Sequence, residues 1–148
     1  MLGLIQRVTQ ASVTVDNVSV GAIDRGLLLL LAVQKEDTTE VAEALLRKVV
    51  SYRVFPDQEH HMNLSLTDIG GGLLIVSQFT LAASTRKGLR PSFSSAAPPA
   101  MAEALYDAFV ARAKEVLPAV ATGRFGADMQ VSLINDGPVT FLLEAQAV

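Results

Sequence analysis

The chain predicts a mixed α/β fold in three layers, α/β/β, in which mostly antiparallel or mixed sheets form a strand-rich core covered by two amphipathic helices. Three observations carry this expectation. Strand patterns recur from the first residues to the last, one apolar run (Leu27–Val33) shows no polar alternation, and only the stretches beginning near Asp37 and at Pro98 repeat apolar residues at helical spacing.

In order, Leu4-Gln6-Val8 and Val13-Val15 read as strands, and Asp16-Asn17 is a turn signal leading into Val18–Val20, so a hairpin is expected. Leu27–Val33 reads as a central strand covered on both faces. The first helix is expected to start near Asp37, with Glu40 completing a capping box and Val41, Leu45 and Val49 on one face, and with Glu43 and Arg47 as an i,i+4 pair. Short strands are expected at Ser51–Phe55 and Met62–Leu66. Leu73–Leu81 reads as a core strand running into a loop. A second helix starting at Pro98-Pro99 should bury Met101, Leu105, Phe109 and Val116 and stop at Pro118. Met129-Val131-Leu133 and Val139-Phe141-Leu143 flank Asn135-Asp136-Gly137-Pro138 and read as a C-terminal β-hairpin.

Bulk properties narrow the function. The 148 residues suit one domain, 1–148, with no repeat or linker-like tract inside it. No apolar run approaches the roughly 20 residues of a membrane span, and the first residues carry no secretory pattern, so a cytoplasmic protein is expected. The absence of cysteine excludes disulfides, thiolate ligands and a cysteine nucleophile. Twelve basic against fifteen acidic residues leave a net charge of −3, which argues against indiscriminate nucleic-acid binding but leaves room for a local basic patch at Arg86, Lys87 and Arg90. The only histidines, His60 and His61, are neighbours in a polar turn and read as exposed turn residues.

Two segments carry more polar chemistry than their surroundings require. Ser77-Gln78-Phe79-Thr80 places hydrogen-bonding side chains in an apolar strand, where each needs a partner or a ligand because an unsatisfied group costs about 1–3 kcal/mol. Bonding to neighbouring strands would also satisfy Ser77 and Thr80. Asn135-Asp136-Gly137-Pro138-Val139-Thr140 reads locally as an ordinary turn, apart from a proline directly after its glycine. There an X–Pro bond can be cis at a cost of about 0.5–1 kcal/mol.

At these two segments the sequence resembles the D-aminoacyl-tRNA deacylase family, whose hallmarks are a Ser-Gln-Phe-Thr motif and an Asn-x-Gly-Pro-Val-Thr motif. The resemblance extends to Leu4–Val8 with Ala11-Ser12-Val13, Met62–Ser65, Thr85–Gly88, Arg90–Phe93, and Gly123–Ala127 with Met129. It implies the three-layer fold and a two-fold homodimer with sites at the subunit interface. Each Gly137-Pro138 pair, joined by a cis peptide, would enter the partner's pocket and turn its carbonyls toward the substrate α-carbon. An L side chain would clash there, whereas a D side chain or the hydrogen of glycine would fit.

Substrate contacts would come from Gly137, Pro138, Asn135 and Met129, and Ser77 and Gln78 would hold the terminal adenosine. Backbone N–H groups of Phe79 and Thr80 would stabilise the oxyanion. Thr80 as a nucleophile would need an activating base, and none lies near it in sequence, so hydrolysis assisted by the 2′-hydroxyl of the tRNA is the expected route. No metal or organic cofactor is called for. Arg86, Lys87 and Arg90 would contact phosphates near the acceptor end of the tRNA, or else belong to a solvated loop. The alternatives are mischarged glycyl-tRNA as the main substrate, a non-catalytic tRNA-acceptor-binding module of the same fold, and an editing domain of a synthetase.

Overall fold

A computed structural model describes residues 1–147, and its architecture follows from one long first strand. β1 (Leu2–Val15) buries alternate residues, loses that phase at the exposed pair Thr9-Gln10, and regains it at Ala11. The two expected strands are therefore one, because Thr9-Gln10 contains no residue that turns a chain. Asp16 and Asn17 both adopt positive φ (50° and 65°), the geometry of a tight hairpin turn, and β2 (Val18–Ile23) returns along β1. β3 (Gly26–Ala32) continues on the same side, pairing Leu2 with Ala32 and Val8 with Gly26.

β6 (Gly72–Ser77) runs parallel to β3, and β7 (Val120–Thr122) runs parallel to β6. Strand order is β2-β1-β3-β6-β7, and β8 (Gln130–Glu144) lies antiparallel along β1. The ends of this sheet curl toward each other: a Cβ placed on Gly21 of β2 would sit 2.2 Å from the Thr122 carbonyl oxygen of β7, so only glycine permits that approach.

Alternation in the central strands builds the layers. Leu27, Leu29, Leu31, Leu73 and Ile75 face one core, shared with α1 (Thr39–Ser51) and α3 (Pro99–Val116). Leu28, Leu74 and Val76 face a second core with Val8, Ala11 and Val13 of β1, against which Met129, Val131 and Leu133 pack. Helices, central strands and curled strands form the α/β/β arrangement, with both faces of β3 covered.

Several elements differ from their expected form. The cap of α1 is Thr38, whose hydroxyl accepts from Val41 N–H (3.3 Å). Asp37 acts elsewhere, since its carboxylate takes the Met1 ammonium (2.7 Å) and Gln34 N–H (2.7 Å), while that ammonium also donates to Gln34 Oε1 (3.1 Å) and the Ala145 carbonyl (2.8 Å). Glu43 pairs with Arg112 of α3 (3.1 Å) rather than with Arg47. The strand expected at Ser51–Phe55 shrinks to β4 (Phe55–Pro56), because α1 runs through Ser51. Similarly, β5 (Met62–Leu64) gives way to a short helix α2 (Leu66–Ile69), for which Ser65 and Asp68 form a reciprocal capping box.

On α3 the buried stripe is Ala102, Leu105, Tyr106, Phe109 and Ala113, whereas Met101 is half-buried and Val116 is 42% exposed. The C-terminal hairpin is replaced by a single strand. β8 leaves its ladder after Asn135, opposite Val8, and rejoins it at Thr140, opposite Gln6, so residues 136–139 stand out as a loop beside Arg7. Among the described residues no helix is long and apolar enough to cross a membrane.

The Met1–Asp37 pair is buried and joins the first strand to the segment before α1. Asp37→Asn leaves the ammonium without its counter-charge, and a loss of about 3–5 kcal/mol is expected for breaking such a pair. Urea denaturation of the two proteins, with the slope unchanged and the midpoint lowered, checks this.

Candidate active site

The parallel pairing of β3 and β6 ends at Leu31 and Ser77, with Gln78 N–H donating to the Leu31 carbonyl (2.8 Å) as the last rung. The chain does not continue as a strand to Leu81. It coils instead into a 3₁₀ turn, Phe79–Ala82, closed by Leu81 N–H to Gln78 O (3.2 Å) and Ala83 N–H to Thr80 O (3.1 Å). The first N–H groups of a helical turn have no partner inside it. Among the described residues, the N–H groups of Phe79 and Thr80 have no acceptor. The Gln78 side-chain amide donates to the Thr80 hydroxyl in a close contact, which orients that hydroxyl.

A cavity of about 630 Å³ opens at this strand end, with Val76, Ser77, Gln78, Phe125, Met129 and Val131 among its walls. Its lining is mainly apolar, and its position outside the carboxyl ends of parallel strands is a common one for ligand sites. The wall containing Phe125 and Met129 is braced from behind. The Ile75 carbonyl accepts from both Gly123 N–H (3.1 Å) and the Tyr106 hydroxyl (3.0 Å), and the Tyr106 ring lies 5.7 Å from that of Phe125. Burial, with a smaller contribution from Asp107, pushes the Tyr106 phenol up to about 12, so it remains a hydrogen-bond donor at neutral pH. The Met129 sulfur accepts from Arg124 N–H (3.4 Å), which folds residues 124–129 into a closed turn.

Of the residues expected to form one site, the structure brings together Ser77, Gln78, Phe79 and Met129 around this cavity, with Thr80 next in the chain. Gly137, Pro138 and Asn135 are elsewhere. Their loop stands on β8 beside β1, exposed at Gly137 and Pro138, and forms no part of the cavity wall. The Gly137–Pro138 peptide is cis, and Gly137 has φ 145°. A Cβ there would meet the Val139 nitrogen at 2.8 Å, so the backbone path requires glycine.

Side chains close the neck of this loop. Val139 N–H donates to Asn135 Oδ1 (2.9 Å), and Asn135 Nδ2 donates to the Thr140 hydroxyl (2.9 Å). Arg7 secures it further: Nε donates to the Asp136 carbonyl (3.0 Å), Nη1 donates to the Val54 carbonyl (2.7 Å), and the guanidinium lies 3.4 Å from the Asp136 carboxylate.

Arg86, Lys87 and Arg90 occupy an exposed hairpin that springs from reciprocal bonds between Ser84 and Ser92 (2.8 and 2.9 Å) and turns at Gly88. None of the three is in an ion pair among the described residues. Sequence reasoning missed Arg7, Phe125 and Tyr106 as site-supporting residues. Arg7 alone carried a visible signal, a charge inside a strand whose partners are apolar. Among the described residues, no group of three or more His, Asp or Glu side chains is placed to hold a metal ion.

The class that fold and cavity define is a strand-rich α/β protein with a ligand site at the end of its parallel strands. The description D-Tyr-tRNA(Tyr) deacylase matches residues 4–144. Proteins named D-aminoacyl-tRNA deacylase are 66% identical over 145 residues in Stutzerimonas stutzeri (98% of this chain, 100% of the relative) and 63% identical over 142 residues in Teredinibacter turnerae (96% and 98%). Among solved structures, the c-Myc DNA Unwinding Element Binding Protein superposes with a TM-score of 0.95 at 41% identity, covering 99% of this chain and 100% of that one. A structure described as "a probable eukaryotic D-amino acid tRNA deacylase" superposes at 0.84 and 20% identity, covering 97% and 98%, a likeness of fold. This chain belongs to the D-Tyr-tRNA(Tyr) deacylase family.

Arg7→Met removes the charged donor that ties the 136–139 loop to β1 and to Val54. A loss of about 1.5–3 kcal/mol, typical of hydrogen bonds to a charged group, is expected. Amide exchange should rise at Val139 far more than at β3 amides, as followed by hydrogen–deuterium exchange.

Proposed function

We propose that this protein hydrolyses the ester joining a D-amino acid, or glycine, to the 3′ end of tRNA. Two backbone N–H groups without acceptors beside an apolar cavity, in a chain of this family, are the observation that carries the reading. They can receive the carbonyl oxygen of the ester as it gains negative charge, and such preorganised donors contribute about 2.7–4 kcal/mol each where measured by mutation.

Ser77 and Gln78, at the end of β6, are suited to hold the terminal ribose and adenine. Among the described residues the Thr80 hydroxyl accepts from the side-chain amides of Gln78 and Asn135 in no case as from a base: the Gln78 amide that holds it cannot take its proton, so its backbone is the useful part. An aminoacyl ester is already labile, and its neighbouring 2′-hydroxyl can orient and activate the attacking water through a hydrogen bond. Positioning and oxyanion stabilisation then suffice for the chemistry.

Handedness would be read by the Gly137–Pro138 loop of a second subunit. Two features support this: the loop stands away from its own chain's cavity, and its shape is fixed by Arg7 and Asn135. In a two-fold dimer the same loop reaches the other cavity reciprocally. Exposed Ile134, Phe141 and Leu142 on the same strand supply apolar surface for such a contact. Backbone carbonyls presented to the α-carbon would leave space for hydrogen but not for an L side chain, while making no contact that depends on which D side chain is present. Arg86, Lys87 and Arg90 would hold phosphates of the acceptor end.

Hydrolysis of D- and L-tyrosyl-tRNA, measured as loss of the charged species, tests this reading. The D ester should disappear while the L ester persists, and Gly137→Ala should reduce D-specific hydrolysis by at least about 100-fold, the size of effect expected from roughly 1 Å misplacement. Equal hydrolysis of both hands would remove the proposed filter, and binding of both without hydrolysis would favour a non-catalytic acceptor-binding module.

A further inference from the structure

Two aromatic rings in the cavity wall are exposed at its rim and, among the described residues, pair with no aromatic ring but each other. Phe79 is 59% exposed and Phe93 41% exposed, with centroids 5.3 Å apart and planes tilted by 45°. Large apolar side chains left in water forgo burial free energy that a ligand on them would recover. The shelf they form is not a fraying loop. Phe79 opens the 3₁₀ turn, and Phe93 is fixed between the Ser84–Ser92 bonds on one side and Ala96 N–H to Phe93 O (3.1 Å) on the other. The Ser95 hydroxyl donates to the Ala82 carbonyl (2.7 Å), tying the two segments together. From the same bonds springs the hairpin bearing Arg86, Lys87 and Arg90.

We propose that the Phe79–Phe93 pair is a stacking shelf for the nucleobase that precedes the terminal adenosine, the penultimate cytidine of the tRNA. The proposal rests on the reading of the cavity as the site of the aminoacyl-adenosine. Three physical points select this occupant. A cavity of about 630 Å³ falls within the range for one small ligand, so the nucleotide before the adenosine lies outside, at the mouth. The tRNA 3′ end is single-stranded there, and unpaired bases are bound by stacking on aromatic faces. Arg86, Lys87 and Arg90, on the hairpin that springs from the same bonds and in no ion pair among the described residues, match the phosphates that link those bases. Stacking tolerates any base, so the shelf would hold the strand in register without choosing among tRNAs.

The test combines a spectroscopic and a kinetic reading. Uncharged tRNA carrying pyrrolo-cytidine at the penultimate position, a fluorophore quenched on stacking, is titrated with the protein. In parallel, hydrolysis is measured on D-aminoacyl-tRNA and on D-aminoacyl-adenosine, which lacks the penultimate nucleotide. Quenching is expected with the native protein, is lost in Phe93→Leu and returns in Phe93→Tyr. Phe93→Leu should lower kcat/KM on the tRNA by about ten-fold, the order expected for one lost base stack. Its effect on the adenosine ester should be markedly smaller.

Four results would overturn the proposal: no quenching by the native protein, quenching that survives Phe93→Leu, equal losses on both substrates, or a loss that grows with the size of the D side chain. The last would assign the rings to the amino acid instead. Failure of the native protein to hydrolyse either ester would contradict the deacylase reading, whereas the fluorescence titration reports on the shelf independently.

Discussion

The working end of this protein exists because a hydrogen-bond ladder stops where it does. β3 and β6 run parallel until Gln78 N–H meets the Leu31 carbonyl, and there the chain coils instead of extending. A strand would have engaged the next N–H groups with a neighbour, but the 3₁₀ turn leaves those of Phe79 and Thr80 without acceptors among the described residues, beside an apolar cavity. The rest of the structure maintains that stop. Ile75, two residues before Ser77, is anchored through its carbonyl by Gly123 and Tyr106. The Tyr106 ring in turn supports Phe125 in the cavity wall.

The second motif is held as firmly in a different place. Arg7 spans from Asp136 to Val54, and Asn135 bonds both Val139 and Thr140, so the exposed Gly137–Pro138 corner has a defined shape. Exposed, rigid backbone is informative because mobile loops are ordinarily where exposure is found. One chain therefore holds a cavity and, away from it, an exposed loop of fixed shape. Two-fold assembly would bring the two together, since a loop that stands away from its own site can complete the site of an identical neighbour, and reciprocally.

Local chemistry made much of this legible in the sequence. The uninterrupted Leu27–Val33 run marked a strand buried on both faces, and Asp16-Asn17 marked the tight turn; the polar groups of Ser77–Thr80 stood out, but as part of a strand reaching Leu81 rather than as the turn that ends it. Long-range partners account for what was not legible. Asn-Asp-Gly-Pro has the composition of a hairpin turn, yet Arg7 and the Asn135 side chain shape it into a loop that rejoins the same ladder. Asp37 looks like a helix cap, but the Met1 ammonium claims its carboxylate. Ser65 and Asp68 form a capping box that overrides a weak strand pattern. Phe93 and Phe125 line the cavity and Tyr106 supports it from behind, all from separate segments that no local pattern could assemble.

Completion of each site across the subunit boundary is tested most directly by subunit complementation. Chains carrying Gly137→Ala, with an altered loop and an intact cavity, would be mixed, unfolded and refolded with chains carrying Ala96→Trp, in which a large ring at a cavity-wall position blocks the cavity and the loop is intact. Each variant alone should lack D-specific hydrolysis, and the mixture should regain it, because mixed dimers contain one native cavity facing one native loop. A mixture as inactive as its parents, with mixed dimers demonstrably formed, would contradict a shared site.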